Sequence, residues 1–320
     1  MRNFVKKSIA FCVIVGTLIC CILGCCHKFY QEQGFQSTAE ISDEDTDTSH
    51  LEIKDTKKDS TVQEKNFINS DGKTLESRIQ VPNAYKRVSV KAGSLGEFLR
   101  TYEMKPDKSP VLLYNGLKKG NQSDHVAVFT LPIENRNLQQ CADSIMRIYG
   151  EYYYHKKEYK KINFILGGGF VAKFDKWKSG YGIGVSGDRL KWISKPKNDS
   201  SYESFKKFMQ IVFAYSGTLN MEDDSKKISE KQMQIGDIFL KGGSPGHVVM
   251  VVDMCTNEKG EKAFLLAQGY MPAQEFHVIK NPLHKDDPWY YVSELSYPFK
   301  TAEYTFDEGS LKRYELFEKS

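Results

Sequence analysis

Helical periods dominate two stretches of the chain. From Asn135 to Tyr154, residues Leu138, Cys141, Ile145, Ile148, Tyr149 and Tyr152 recur at three- and four-residue steps, which predicts an amphipathic helix with its apolar stripe inward. Asn137 is the expected N-cap, with Gln140 three residues later as in a capping box. Cys141 then falls in the first turn or so, on the core side. Arg147 and Glu151 are four apart and can pair across the helix, on the surface or along a polar cleft. Tyr202 to Tyr215 predicts a second helix, with Phe205, Phe208, Met209, Val212 and Phe213 inward and Gly217 ending it. A short helix is expected around Gly93 to Arg100, with Ser94 as N-cap and Glu97 three residues on.

From Ile235 to Gln268 the pattern changes to that of strands. Ile235, Ile238, Phe239 and Leu240 form one apolar run, the β-branched stretch Val248 to Val252 a second, and Ala263 to Ala267 a third. Between the last two lies a polar stretch, Thr256 to Lys262, whose Gly260 can take positive φ and close a hairpin. Val111 to Tyr114, His125 to Leu131, Ile162 to Leu166, Phe276 to Ile279 and Trp289 to Val292 are expected as further strands.

The hairpin gives one histidine a defined setting. His247 opens the second apolar run, directly after Gly242, Gly243, Ser244, Pro245 and Gly246. A strand end fixes an imidazole ring while a small-residue loop leaves it accessible, a common arrangement for a catalytic base. If the turn centres between Asn257 and Lys259, His247 faces a residue between Gln268 and Met271. Gln268 is the polar one able to orient the ring, and a one-residue slip would turn it to the other face. A solvated loop histidine is the plain alternative. His277 is a spare second base.

The first residues read as a targeting segment. Arg2, Lys6 and Lys7 precede an uncharged apolar stretch, Ser8 to Leu23, that is short for a membrane span. Ile22-Leu23-Gly24-Cys25 resembles a bacterial lipoprotein signal, which implies lipidation of Cys25 and removal of residues 1–24; Cys26 and an uncleaved anchor are the competing readings. Residues 25–75 then form a tether. Ser37 to Ser60 carries eight acids against three lysines with few large apolar residues, too little to offset the entropy of ordering. Residues 76–318 are expected as a single globular domain, held outside the cytoplasm in the cell envelope.

Composition adds mainly exclusions. The net charge of +4 comes without an aromatic-interleaved basic stripe, so no nucleic-acid partner is expected. Of seven cysteines, five lie in the targeting segment or at its cleavage site, and only Cys141 and Cys255 lie in the body of the chain. Their spacing gives no metal-ligand pattern, and neither a metal nor a cofactor is expected. The two can join as a disulfide, or Cys141 can serve as a nucleophile whose thiolate the helix N-terminus would stabilise.

Gly236-Asp237-Ile238-Phe239, followed by Gly246-His247-Val248-Val249-Met250-Val251-Val252-Asp253, resembles the histidine segment of NlpC-type and CHAP-type papain-like cysteine peptidases. The resemblance implies an α+β, papain-like core with an antiparallel sheet and a helix carrying the cysteine. It makes Cys141 the nucleophile, His247 the base and Gln268 the third residue. Over a longer span, Leu138-Gln139-Gln140-Cys141-Ala142-Asp143, Gly242 to His247, Ala267 to Gln274 and Pro288-Trp289-Tyr290 are similar to an uncharacterised family of bacterial, Bacteroidetes-type lipoproteins, domain of unknown function 4846. The expected function is a membrane-tethered thiol hydrolase, a peptidase or amidase, acting on cell-wall (peptidoglycan) peptides. Gln140, Gly246 and Gln274 are the expected substrate contacts, and the Cys141 N–H with the Gln139 or Gln140 side chain the oxyanion donors. The alternative is a non-catalytic envelope lipoprotein domain that binds peptide, glycan or a protein partner.

Overall fold

The structure, a computed structural model, describes residues 66–314 apart from 188 and 196. The segment expected to act in targeting, and the expected lipidation site Cys25, lie outside the described residues. No helix among the described residues is long and apolar enough to cross a membrane.

The first part of the domain contains α1 (Leu75–Arg78), β1 (Tyr85–Arg87), α2 (Leu95–Arg100), β2 (His125–Val128) and the long α3 (Cys141–His155). Two small hairpins follow, β3 (Asn163–Leu166) with β4 (Phe170–Lys173) and, after α4 (Phe174–Lys178), β5 (Tyr181–Ser186) with β6 (Arg189–Ser194). Next come α5 (Tyr202–Tyr215), α6 (Thr218–Asp223), β7 (Ser225–Lys227), β8 (Ile238–Lys241), β9 (His247–Asn257) and β10 (Lys262–Gln268). Short strands complete the chain: β11 (His277–Ile279), β12 (Tyr290–Tyr291), β13 (Phe299–Lys300), β14 (Thr305–Phe306) and β15 (Leu311–Tyr314).

Nine strands make one sheet in the order β2-β11-β10-β9-β8-β15-β7, with β1 also pairing β9 and β12 also pairing β10. Every pair in it is antiparallel. This corrects the papain-like core that the histidine segment implied: the fold is mostly a large antiparallel sheet, with two long helices and several short ones, and no papain-like core is evident among the described residues. The resemblance rested on the β8–β10 region, and hairpins of that kind fit many sheets. Several of the remaining strands are two to four residues long, too short for a period of two to show. Val111 to Tyr114 departs further, making isolated bridges to Lys118 and Gln274 rather than a strand.

The central strand, β9, is buried from His247 through Cys255. That is why it reads as a continuous apolar run rather than an alternation. Both α3 and α2 pack against it. A polar clamp sits in the middle of this apolar strand. The Asp253 carboxylate, fully buried, accepts from Arg87 Nε (2.7 Å), Arg100 Nε (2.7 Å) and the Met254 N–H (2.8 Å). Arg87 reaches on to the Ile79 carbonyl and Arg100 to the Met254 carbonyl, so one carboxylate joins β1, α2 and β9.

Removing one partner of such a buried pair leaves uncompensated charge. Asp253→Ala is expected to lose about 3 kcal/mol of stability, a fall in Tm of roughly 6–12 °C for a domain of this size. Thermal and urea unfolding check this, and a loss below about 1 kcal/mol would show that the clamp is dispensable.

Candidate functional site

The helix that carries the cysteine begins three residues later than the Asn137 cap predicts. Gln140 is the N-cap residue and Cys141 the first residue of α3. The Gln140 N–H donates to Asp143 Oδ2 (3.0 Å), so Asp143 closes the first turn. Asn137 is drawn into tertiary contacts instead, its Oδ1 accepting from the Ala273 N–H (2.8 Å) and Gln140 Nε2 (3.3 Å). Cys141 and Cys255 are both free thiols, which removes the disulfide alternative. Burial pushes the Cys141 thiol up to about 11, against the opposing pull of the N–H groups of Ala142, Val248 and Cys141 itself. The helix terminus therefore does not deliver a thiolate at rest; loss of water outweighs it. The helix packs against β9, the strand that His247 opens, and Cys141 shares its cleft with Gly246, the residue before His247.

His247 is the first residue of β9 and is buried. The loop before it is tight at Gly246, where a Cβ would meet the Gly243 carbonyl at 2.4 Å and Thr218 Oγ1 at 2.5 Å. A bulge between Leu265 and Leu266 shifts the β9–β10 register by one. Beyond it Ala267 pairs with Met250, so Gln268 lies diagonal to His247 and the extended register sets Tyr270 opposite it. Gln268 Oε1 lies 2.8 Å from His247 Nε2. The Tyr270 and Tyr304 rings lie 4.7 and 4.9 Å from the imidazole, with Phe306 stacked at 6.1 Å. Burial lowers the imidazole to about 4, against the raising effects of the Gln268 hydrogen bond and the Glu303 charge.

Gly269 brings these two halves together. A Cβ there would stand 2.3 Å from Ser144 Oγ and 2.9 Å from the Gln140 carbonyl, so β10 leaves the sheet in direct contact with the first turn of α3. Beside this contact lies a cleft of about 300 Å³. Cys141, Gln140 and Gly246 line it, together with Gly217, Thr218 and the half-exposed Met271.

The remaining expected residues lie elsewhere. Gln274 does not line the cleft; it is buried in a bridge to Leu113, and its Nε2 has no hydrogen-bond partner among the described residues. The Gln139 side chain is fully buried, donating to the Pro132 carbonyl and accepting from Arg147, so it is not available as an oxyanion donor. Arg147 and Glu151 pair at 2.6 Å in the interior, with Tyr202 and Glu134 bound to the guanidinium, neither on the surface nor along the cleft. His277 is buried with Nδ1 on the Glu275 carbonyl (2.8 Å). No group of three or more His, Cys, Asp or Glu among the described residues is arranged to hold a metal ion.

Two residues at the site had no signal in the sequence. Glu303 accepts from Gln268 Nε2 (2.6 Å) and Lys119 Nζ (2.5 Å), and Tyr304 covers His247 while its hydroxyl donates to the Pro245 carbonyl (3.3 Å). Both sit on the turn joining β13 to β14, strands of two residues each.

Residues 75–313 match the family described as a domain of unknown function (4846). The chain belongs to this family. Comparison with curated proteins and with solved structures gives no match. The matched span of the 4846 domain runs from α1 almost to the end of β15 and includes Cys141, His247, Gln268 and Glu303.

The raised thiol sets the pH dependence of modification. Only the thiolate is nucleophilic, and a raised pKa keeps the thiol protonated at neutral pH. Alkylation of Cys141 in the folded protein is thus expected to be slow at pH 7 and to climb with pH towards about 11. Iodoacetamide labelling read by mass spectrometry checks this. Fast labelling below pH 7 would contradict a neutral resting thiol.

Proposed function

We propose that the protein is a thiol hydrolase of the peptidase or amidase class, with Cys141 as nucleophile and His247 as base. The observation that carries the reading is the meeting of three features: a cysteine opening a helix beside a cleft, the packing of that helix against β9, and the histidine that opens β9 held through Nε2 by Gln268. In the reaction the sulfur attacks the carbonyl carbon of an amide while His247 takes the thiol proton. The tetrahedral adduct collapses as His247 returns that proton to the leaving amine, giving a thioester. Water, deprotonated by His247, releases the acid and restores the thiol. The oxyanion would be met by the Cys141 N–H and by Gln140 Nε2 after it leaves Asn137. Since thiol and imidazole are both neutral at rest, proton transfer accompanies attack rather than preceding it.

The small cleft suits short side chains flanking the scissile bond. The lipoprotein-like signal in the sequence favours a tether to the membrane, outside the cytoplasm, and cell-wall peptides as substrates. A second reading, a non-catalytic envelope domain that binds peptide, glycan or a partner, is favoured by one observation. Burial moves Cys141 to about 11 and His247 to about 4, away from the matched values that ease proton transfer.

Hydrolysis of peptidoglycan stem peptides separates the two. Cys141→Ala is expected to abolish turnover, His247→Ala to lower it by about 10²–10⁴-fold, and Gln268→Ala to have a smaller effect. Turnover retained by Cys141→Ala would sink the hydrolase reading, while peptide binding without turnover would favour the second.

A further inference from the structure

We infer that Glu303 is a positioning residue that decides which nitrogen of His247 carries the proton. Glu303 is central: Oε2 accepts from Lys119 Nζ at 2.5 Å and Gln268 Nε2 at 2.6 Å, while Oε1 lies 3.5 Å from Asn121 Nδ2. His277 Nε2 stands 3.8 Å from the same carboxylate, beyond hydrogen-bond reach but close enough for charge to act. Burial alone would raise the Glu303 pKa; His277 and Lys119 beside it hold it down to about 2, so the group is an ionised acceptor at any ordinary pH.

An ionised carboxylate cannot donate. Gln268 must therefore turn its NH₂ towards Glu303, which leaves its carbonyl oxygen facing His247 at 2.8 Å. This removes the ambiguity that an isolated amide would leave. A carbonyl oxygen can only accept, so His247 Nε2 must hold the hydrogen. The neutral ring has a single N–H, and the lone pair is then on Nδ1, which makes no hydrogen bond among the described residues. The chain Lys119–Glu303–Gln268–His247 thus turns a fixed negative charge into a fixed tautomer. Glu303 acts through Gln268 and touches neither the cleft nor Cys141.

The catalytic meaning of this chain rests on the hydrolase reading, since a lone pair on Nδ1 is what would accept the thiol proton. The tautomer itself does not. The test uses the full chain in detergent, labelled with ¹⁵N-histidine, and long-range ¹H–¹⁵N correlation at neutral pH. His247 is assigned by loss of its signals in His247→Gln. The wild type is expected to show His247 as a single Nε2–H tautomer, and Glu303→Ala to show a second, Nδ1–H population. An Nδ1–H ring in the wild type overturns the inference whether or not any variant folds. An unchanged pattern in a folded Glu303→Ala protein also overturns it. Where turnover is measurable, Glu303→Ala should lower kcat about tenfold or more with KM unchanged, the sign of a group that acts on the chemical step and not on binding. Because the tautomer is read without substrate, failure of the hydrolase reading leaves its result standing.

Discussion

The site depends on one close approach, the passage of Gly269 against the first turn of α3. Only a residue without a side chain lets the exit of β10 lie on Ser144 and on the Gln140 carbonyl. That contact holds the start of α3, and hence Cys141, beside the strand ends that present His247 and Gln268. On the other side, Gly246 draws the loop before β9 equally tight. The bulge at Val252 of β9, opposite Leu265 and Leu266, finishes the arrangement by moving the register one residue, so that Gln268 and Tyr270 meet the imidazole. Two glycines and one extra residue in a strand thus set where the chemistry-bearing groups stand.

Burial is the second governing factor, and it acts in opposite directions on the two central groups. The uncharged form is favoured in each, which raises the thiol and lowers the imidazole. The helix terminus and nearby N–H groups weaken this effect for Cys141 without reversing it. Near His247 the charge of Glu303 plays the corresponding part, relayed by Gln268 and balanced by Lys119. Asp143, also buried, is raised to about 8 by the same loss of water although the Gln140 N–H binds it. Cys141 and Asp143, which both line the cleft, are thus held towards their neutral forms.

Local features of this arrangement are legible in the sequence, and non-local ones are not. The β9–β10 hairpin follows from a β-branched run, a polar turn and Gly260, and α3 follows from its three- and four-residue period. His247 at a strand mouth and Gln268 within its reach need only that hairpin and a register. The start of α3 is misplaced by three residues because Asn137, a good cap by type, is taken by the backbone of Ala273. Arg147 and Glu151 look like a surface pair, and only the packed neighbours Tyr202 and Glu134 reveal that they are interior. The nine-stranded sheet in place of a papain-like core depends on pairings far apart in the chain, such as β15 with β8, that no short segment announces. Glu303 belongs to the same class: its neighbours Lys119 and Gln268 lie 184 and 35 residues away.

The measurement that most directly tests a nucleophilic role for Cys141 is acid trapping of the protein during exposure to peptidoglycan stem peptides, followed by peptide mass spectrometry. A mass increase equal to the acyl portion of the substrate, confined to the peptide that contains Cys141, discharged by neutral hydroxylamine and absent from His247→Ala, is the predicted result. Substrate cleavage with no acyl group on Cys141, or an adduct that forms equally without His247, would contradict it.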